Sequence, residues 1–329
     1  MIDAEAAGFS AIRPGLTAVI VNYRTAGLVI ECVDHLKEYP PALLHLAIMV
    51  VDNGSGDGSL ERIGAAHPDI TLVDACCNLG FARGNNLALR MVDTEFALLI
   101  NSDALVERGT LDMLVDALRA DPTVGVVGPR VVNMDDGADQ DYPYRFPSVV
   151  EMLRRAVAGP QYPARDRHAP LEVDRVHGAC LMTRAEVLRQ VGLLDEGFFM
   201  YDEDVDWCLR VRKAGWRLLL LPQVAVRHYG GASSDRKPSG RRRHSVPSEG
   251  SLRMRYELRR SRYRLYRKHR GAIETLLLKL LTDVALLADS ALWIVQGKLS
   301  AEGRRATAAI LRCNLRIIRL NPFGAQMAP

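Results

Sequence analysis

Between Gly197 and Arg210 the sequence reads GFFMYDEDVDWCLR. Four carboxylates, Asp202, Glu203, Asp204 and Asp206, lie between the aromatic run Phe198-Phe199-Met200-Tyr201 and the apolar Trp207-Cys208-Leu209. A carboxylate packed against aromatic surface has its charged form penalised, which suits general-base work. The same residues also read as a helix start. In that reading Asp202 is the N-cap, Glu203 and Asp204 complement the positive end of the dipole, and Trp207 and Val211 face a core.

Other polar clusters follow apolar runs. Asn22-Tyr23-Arg24 follows the first run, and Asp52-Asn53-Gly54-Ser55-Gly56-Asp57-Gly58-Ser59 the second. The three glycines of the latter let backbone amides approach a ligand, and Asp52 can accept from a base N–H or a ribose hydroxyl. Its alternative is a βα loop ending in a helix cap. Asn78-Leu79-Gly80-Phe81-Ala82-Arg83-Gly84-Asn85-Asn86 opens a helix, where phosphate or ribose can be met and Arg83 supplies charge. It is not G-x-G-x-x-G, which disfavours a dehydrogenase. Asn101-Ser102-Asp103 ends a further run. A carboxylate at the tip of a buried strand is costly unless it binds something, and Mg²⁺ or Mn²⁺ bridging to a diphosphate needs only one or two protein carboxylates. The alternative is a cap on a helix over Glu107–Ala120. His228 ends the run Val224-Ala225-Val226 and is a candidate second metal ligand. His177, just before Gly178-Ala179, reads as structural.

The elements that must carry these clusters are legible. The runs Thr17–Asn22, Leu46–Val51, Ile70–Ala75, Phe96–Ile100 and Val124–Val127 are nearly continuous in Val, Ile and Leu. That is how strands buried on both faces read. Helical patterns lie between them: Leu28, Cys32, Leu36 and Tyr39 share one face, as do Leu111, Leu114, Val115 and Leu118. The alternation predicts an α/β fold with a mostly parallel sheet and helices on both faces, with ligands at the carboxyl ends of the strands. Further on, Val173–Thr183 and Trp216–Pro222 read as strands, and Ala185–Val191 and Glu203–Ala214 as helices. Ser233–Ser251 reads as a flexible loop or hinge. A basic helix over Leu252–Arg270 and two more helical stretches follow.

Bulk composition sets the bounds. The 329 residues are 48% hydrophobic and 25% charged, which fits a folded chain of two domains or one domain and an appendage. Residues 1–15 read as a loose tail without a secretory signal. The six cysteines form no C-x-x-C pair and read as reduced thiols of a cytosolic protein. The net charge of +4 conceals an asymmetry: residues 1–235 carry −11, whereas Arg236–Arg270 has 14 Lys/Arg against 2 Asp/Glu. A basic C-terminal part on an acidic body suggests a polyanionic partner.

In that part, Tyr256, Tyr263 and Tyr266 interleave with the basic residues, yet no nucleic-acid-binding module accompanies them and nucleic acid is not expected. Ile273–Val295 is long and apolar, but Lys279, Thr282, Asp283, Asp289 and Ser290 share a stripe. Such a helix lies on a surface or in a bundle rather than spanning a membrane. Ala306–Leu320 sets Arg312, Arg316 and Arg319 beside Ile310, Leu311, Leu315 and Ile318. The expectation is peripheral contact with the anionic inner face of the cell membrane. A homodimer interface made by the same helices is the competing reading.

Taken together, these blocks resemble the glycosyltransferase family 2 enzymes, and within them the rhamnosyltransferase-like branch. The resemblance covers about residues 16–270 and rests on Val19-Ile20-Val21-Asn22-Tyr23, Val51-Asp52-Asn53-Gly54-Ser55, Asn78–Asn86, Leu99-Ile100-Asn101-Ser102-Asp103, Gly178-Ala179-Cys180-Leu181-Met182, Phe198–Arg210 and Arg227-His228-Tyr229-Gly230-Gly231. It implies a GT-A fold over residues 16–235, followed by a helical region over 236–329. It also implies that Asn22 and Asp52 hold the nucleobase, that Arg83 and Asn86 line the donor pocket, and that Asn53 and Ser102 lie on the donor side. Asp103 stands where the last Asp of the family's D-x-D stands and would bind Mg²⁺ or Mn²⁺ with His228. Asp204 matches the catalytic base. Gly178, Glu203 and Trp207 are candidates for acceptor contact. Asn101 departs from D-x-D and leaves the metal site poorer in charge.

The implied reaction is a metal-dependent, inverting transfer of a sugar, with L-rhamnose from dTDP-rhamnose favoured, to a glycan or polyprenyl-diphosphate-linked acceptor in cell-surface polysaccharide synthesis. Two alternatives stand beside it: a galactofuranosyl or hexosyl transferase using a UDP-sugar, and a catalytically silent nucleotide-sugar-binding scaffold.

Overall fold

The computed structural model describes residues 12–140, 145–158, 169–230, 247–296 and 301–324. The chain divides into two compact units. One comprises Met1–Phe146, Tyr162–Glu196 and Glu203–Gly230; the other comprises Pro147–Gln161, Gly197–Asp202 and Gly231–Pro329.

The first unit is built on a sheet. In chain order it contains β1 (Arg13–Asn22), α1 (Ala26–Glu38), β2 (Leu46–Asp52), α2 (Ser59–Ala66), β3 (Thr71–Asp74), α3 (Phe81–Leu89), β4 (Thr94–Ile100), β5 (Ala104–Val106), α4 (Thr110–Ala120) and β6 (Val124–Asn133). After α5 (Val149–Ala158), which belongs to the other unit, come β7 (Leu171–Glu172), β8 (Cys180–Arg184), α6 (Ala185–Val191), α7 (Glu203–Lys213) and β9 (Arg217–His228). The strand order is β3-β2-β1-β4-β8-β6-β9-β5, with β7 on β9. The β3-β2-β1-β4 half is parallel throughout, as the alternation predicts. Beyond it the sheet is mixed: β8 runs antiparallel to β4 and β6, while β6 and β9 are parallel.

Successive side chains of β1 point to opposite faces, and both faces are covered. Leu16, Ala18 and Ile20 pack with Val29, Val33 and Leu36 of α1 and Leu111, Leu114 and Leu118 of α4. Val19 belongs to a second core with Val51, Leu99, Leu89 of α3, Leu188 of α6, and Trp207 and Val211 of α7.

Three expectations need correction. Arg13–Gly15, assigned to a tail, already belong to β1; residues 1–11 lie outside the described residues. Of the strand expected over Val173–Thr183, only Cys180 onward pairs in a continuous ladder. The amides of Gly178 and Ala179 donate instead to Asp204 Oδ2 and His177 Nδ1, at 3.0 Å each. The strand expected to stop at Pro222 runs on to His228. A register shift against β6 absorbs the proline, which has no N–H for the ladder, and Arg130 Nε donates to the Pro222 carbonyl at 2.9 Å.

The second unit is helical: α5, then α8 (Glu249–His269), α9 (Gly271–Gln296) and α10 (Ala301–Ile318). Residues 233–246 of the expected loop lie outside the described residues. Ser248 caps α8 by accepting from the Ser251 amide at 3.1 Å, so this helix begins before the expected Leu252. Tyr201 and Asp202 both have positive φ, at 70° and 64°. Arg262 of α8 holds this turn with a fork onto both Asp202 oxygens, at 2.6 and 2.9 Å, and Ser261 Oγ donates to the Met200 carbonyl at 2.8 Å.

The polar stripe of α9 faces inward. Lys279 pairs with Asp283 and donates to the Ile318 carbonyl; Asp289 meets Arg255 at 2.7 Å and Asn314 at 3.0 Å; Ser290 Oγ meets Asn314 at 2.9 Å. Ile273, Leu276, Leu280, Val284 and Leu287 are exposed. Among the described residues no helix is long and apolar enough to cross a membrane.

Burial pushes the thiols of Cys180 and Cys208 up to about 12 and raises Cys32 as well, whereas Cys76 and Cys77 are exposed. Thiolate is the reactive form. Iodoacetamide at about pH 8 should therefore alkylate Cys76 and Cys77 of the native sheet unit and spare Cys32, Cys180 and Cys208 until denaturant is added. Peptide mass spectrometry reads the outcome, and native labelling of Cys208 would contradict this packing.

Candidate active site

Two neighbouring strand tips form the first cluster. Asn22 and Asp52 are register partners at the ends of β1 and β2, and both are buried. Asn22 Nδ2 donates to Asp52 Oδ1 at 2.6 Å and to Ser55 Oγ at 3.1 Å. Asp52 also accepts from the Ser55 amide at 3.0 Å and from the Ser55 hydroxyl at 2.6 Å. Thr25 Oγ1 bridges Asn22 Oδ1 at 3.0 Å and Ser102 Oγ at 3.2 Å, which joins this cluster to the end of β4. Ser55, which sequence reasoning did not single out, is the hydroxyl that organises the turn. A short hydroxyl three residues after an Asp is the signal that was there to read.

Asn53 and Asn86 are engaged by the protein itself. Asn53 Nδ2 lies within hydrogen-bond distance of Asn78 Oδ1 and the Gly80 carbonyl, at 3.3 and 3.2 Å, and Asn53 Oδ1 accepts from the Leu79 amide at 3.0 Å. Its side chain pins the loop that opens α3. Asn86 is 1% exposed and clasps Leu194 through both amide atoms, at 2.9 and 3.1 Å. Asn86, expected in the lining of a donor pocket, anchors the Leu194–Glu196 segment. Arg83, one turn earlier, is 39% exposed, with Nε 3.7 Å from Glu196.

The second cluster centres on Asp103 and His228, both buried. His228 Nε2 lies 3.1 Å from Asp103 Oδ1 and 3.3 Å from Asn101 Nδ2. Gln140 grips the other side. Its Nε2 donates to the His228 carbonyl at 2.9 Å, which leaves its Oε1 to accept from Nδ1–H at 3.0 Å. In a neutral ring this leaves the Nε2 lone pair facing a carboxylate oxygen, an arrangement that a proton or a cation between them relieves. Two ligands at adjacent octahedral positions, each about 2.1 Å from Mg²⁺ or Mn²⁺, stand about 3 Å apart. Asp103 and His228 thus fit such an ion, with Gln140 fixing the tautomer. Among the described residues no cluster of three or more His, Cys, Asp or Glu could hold a metal.

The ring of His177 packs edge-on against His228, with centroids 5.8 Å apart. Burial first, then His228, drives the His177 imidazole down to about 3, so it is neutral and accepts from the Ala179 amide. The next residue, Gly178, donates its amide to Asp204 Oδ2 at 3.0 Å. A Cβ on Gly178 would lie 2.7 Å from that oxygen, so only glycine permits the approach. Residues 177–179 therefore connect the Asp103–His228 pair to Asp204.

The four carboxylates of the acidic stretch have distinct surroundings. Asp202 is held by Arg262 within the helical unit. Asp206 is fully buried and pairs with Arg210 at 2.9 Å. Glu203 is 5% exposed, and only Asp204 is half-buried with access to solvent. Trp207, a candidate for stacking on an acceptor, is 1% exposed and donates Nε1–H to the Gly192 carbonyl at 2.8 Å. It is a core residue, because its position on α7 faces the sheet.

A family model described as "Glycosyltransferase like family 2" matches residues 14–245. The chain belongs to this family. It is 29% identical over 215 residues to an N-acetylglucosaminyl-diphospho-decaprenol L-rhamnosyltransferase of Mycobacterium tuberculosis, covering 59% of this chain and 70% of that one. It is 27% identical over 202 residues to a low-salt glycan biosynthesis hexosyltransferase of Haloferax volcanii, covering 60% and 62%. Among solved structures, a mannosyltransferase from Pyrobaculum calidifontis in complex with GDP-Man and Mn²⁺ superposes with a TM-score of 0.55 at 20% identity, over 96% of this chain and 92% of that one. The glycosyltransferase therefore has the GT-A fold, and the residues above are read as parts of an enzyme.

Gly54 sets the turn after β2, with φ at 68° and a hypothetical Cβ 2.4 Å from Cys77 Cα. Gly54→Ala should cost about 2 kcal/mol or more, because left-handed strain adds to a backbone clash. Urea denaturation measures this, and an unchanged midpoint would show that the turn is loosely held.

Proposed function

We propose that this glycosyltransferase inverts configuration and depends on Mg²⁺ or Mn²⁺. Its donor is dTDP-L-rhamnose, and its acceptor is a hydroxyl of a glycan or polyprenyl-diphosphate-linked glycan in cell-surface polysaccharide synthesis. The observation that carries this reading is the solvent-accessible carboxylate of Asp204, held by the Gly178 amide and linked through residues 177–179 to the Asp103–His228 pair. The rhamnosyl donor draws its support from the names of relatives in Mycobacterium tuberculosis and Escherichia coli. The hexosyltransferase relative supports a UDP-sugar as the second reading.

Asp204 takes the proton of the acceptor hydroxyl as that oxygen bonds to the anomeric carbon. The bond from that carbon to the diphosphate oxygen breaks, and its electron pair leaves with the nucleoside diphosphate. Attack from the opposite face inverts the configuration. The Gly178 amide holds Oδ2 and so fixes the rotation of the carboxylate. Asp52 and Asn22 receive the nucleobase, and Arg83 adds positive charge on the donor side. Asp103 and His228 would hold the divalent ion, which would supply Lewis-acid neutralisation of the diphosphate charge when bound.

In this reading the sheet unit performs the transfer. The helical unit rests peripherally on the inner face of the cell membrane, supported by the exposed apolar stripe of α9 and the basic residues of α8. Changing Leu280 and Leu287 to Glu should reduce sedimentation with anionic liposomes without altering oligomeric state. Conversion of a dimer to a monomer instead would assign the stripe to self-association.

Asp204→Asn should lower kcat at least about a hundredfold while the donor-induced rise in Tm persists. Retention of more than about a tenth of the rate would remove Asp204 as the base. In a thermal-shift panel with Mn²⁺, dTDP-rhamnose should stabilise most. Stabilisation by a UDP-hexose alone would select the hexosyl reading, and stabilisation without donor turnover the silent scaffold.

A further inference from the structure

Within the helical unit, α5, α8 and α9 line a half-open cavity of about 550 Å³. That is the size of a small-molecule site rather than a packing defect. Met152, Leu258, Leu281 and Ala285 supply apolar wall, and Arg255, Arg259 and Arg262 bring three guanidinium groups to the same cavity. The carboxylates do not match them. Asp289 pairs with Arg255 at 2.7 Å, and Asp202 is forked by Arg262. Arg259 has neither ion pair nor hydrogen bond among the described residues. Burial, and then Arg255, lower its pKa, although a guanidinium stays charged. The cavity therefore joins apolar walls to a guanidinium whose charge no carboxylate offsets among the described residues. A half-buried, unpaired cation is costly unless an anion meets it.

We propose that this cavity binds a single-chain lipid phosphate, with the hydrocarbon chain along α5 and α9 and the phosphate on Arg259. The charge arithmetic selects an anionic head, and the apolar walls select a chain rather than a free sugar phosphate. Arginine suits the head because its planar fork matches phosphate oxygens. The proposal rests on the lipid-linked acceptor named above and assigns that acceptor's lipid a binding site distinct from Asp204.

The test uses the full chain and geranylgeranyl phosphate below its micelle concentration, with geranylgeraniol and inorganic phosphate as controls. Isothermal titration should give saturable binding of the prenyl phosphate and binding at least about tenfold weaker for either control. Arg259→Leu should weaken prenyl phosphate binding about tenfold or more. Ala285→Trp, which fills the cavity without touching the charge, should do the same. Both variants should keep the wild-type Tm shift with nucleotide sugar, which separates loss of this site from misfolding. Equal binding of inorganic phosphate, unchanged affinity in both variants, or association only with anionic phospholipid vesicles would overturn the proposal. Absence of any donor-induced shift alongside intact prenyl phosphate binding would sink the transferase reading and leave this one standing.

Discussion

A sheet covered on both faces has no solvent side on which to place a polar residue. In β1, β2 and β4 this burial is nearly complete, so polar side chains are driven to the carboxyl ends. There they must satisfy one another, because a buried carboxylate without partners is expensive. Asp52 is met by Asn22 and by both donors of Ser55. Asp103 is met by His228, which Gln140 fixes from the far side. The requirement that lets the sheet fold therefore also concentrates hydrogen-bonding groups where a ligand can reach them. The two clusters are tied together by the Thr25 hydroxyl, which spans Asn22 and Ser102.

The same logic separates the four acidic neighbours. Asp202 and Asp206 each direct a carboxylate at an arginine of their own unit, Arg262 and Arg210. Asp204 Oδ2 accepts from the Gly178 amide, and this contact orients the carboxylate. The orientation depends on a missing atom: a side chain at position 178 would occupy the space of Oδ2. The departure of the chain from a regular strand before Cys180 has the same cause, since the Gly178 and Ala179 amides turn to Asp204 and His177.

Much of the fold was legible because period and burial agree. The five apolar runs are the five expected strands, and Leu28, Cys32 and Leu36 lie on one helix. What failed did so where tertiary partners override local pattern. Val173–Ala179 has strand composition, yet the Gly178 amide serves the distant Asp204 and the Ala179 amide serves the neighbouring His177. Pro222 reads as a stop but sits in a register shift whose accommodation depends on Arg130 of another strand. Site residues divided similarly. Asn22, Asp52, Asp103, His228 and Asp204 stand at element ends, and their positions there follow from the spacing of the apolar runs. Asn86 and Trp207 could not be assigned, because a single turn of helix separates a residue facing a cleft from one facing Leu194 or Gly192, and only the packing fixes that rotation. Gln140 lay beyond reach, since no pattern links it to His228.

The helical unit inverts the usual arrangement of a water-soluble bundle. α9 turns Lys279, Asp283, Asp289 and Ser290 toward its neighbours and leaves much of its apolar surface outside. Asn314 on α10 ties several of these groups at once, so polar contacts contribute cohesion that apolar burial would otherwise provide. Each large aliphatic side chain left in water forgoes about 1.5–3 kcal/mol that burial would contribute. A helix that exposes Ile273, Leu276, Leu280, Val284 and Leu287 while burying charged groups is therefore poorly matched to water on that face. Its composition is rational if the outer face meets hydrocarbon or another apolar surface, and the inward polar stripe then keeps the bundle specific in surroundings where apolar contacts alone would not distinguish one packing from another.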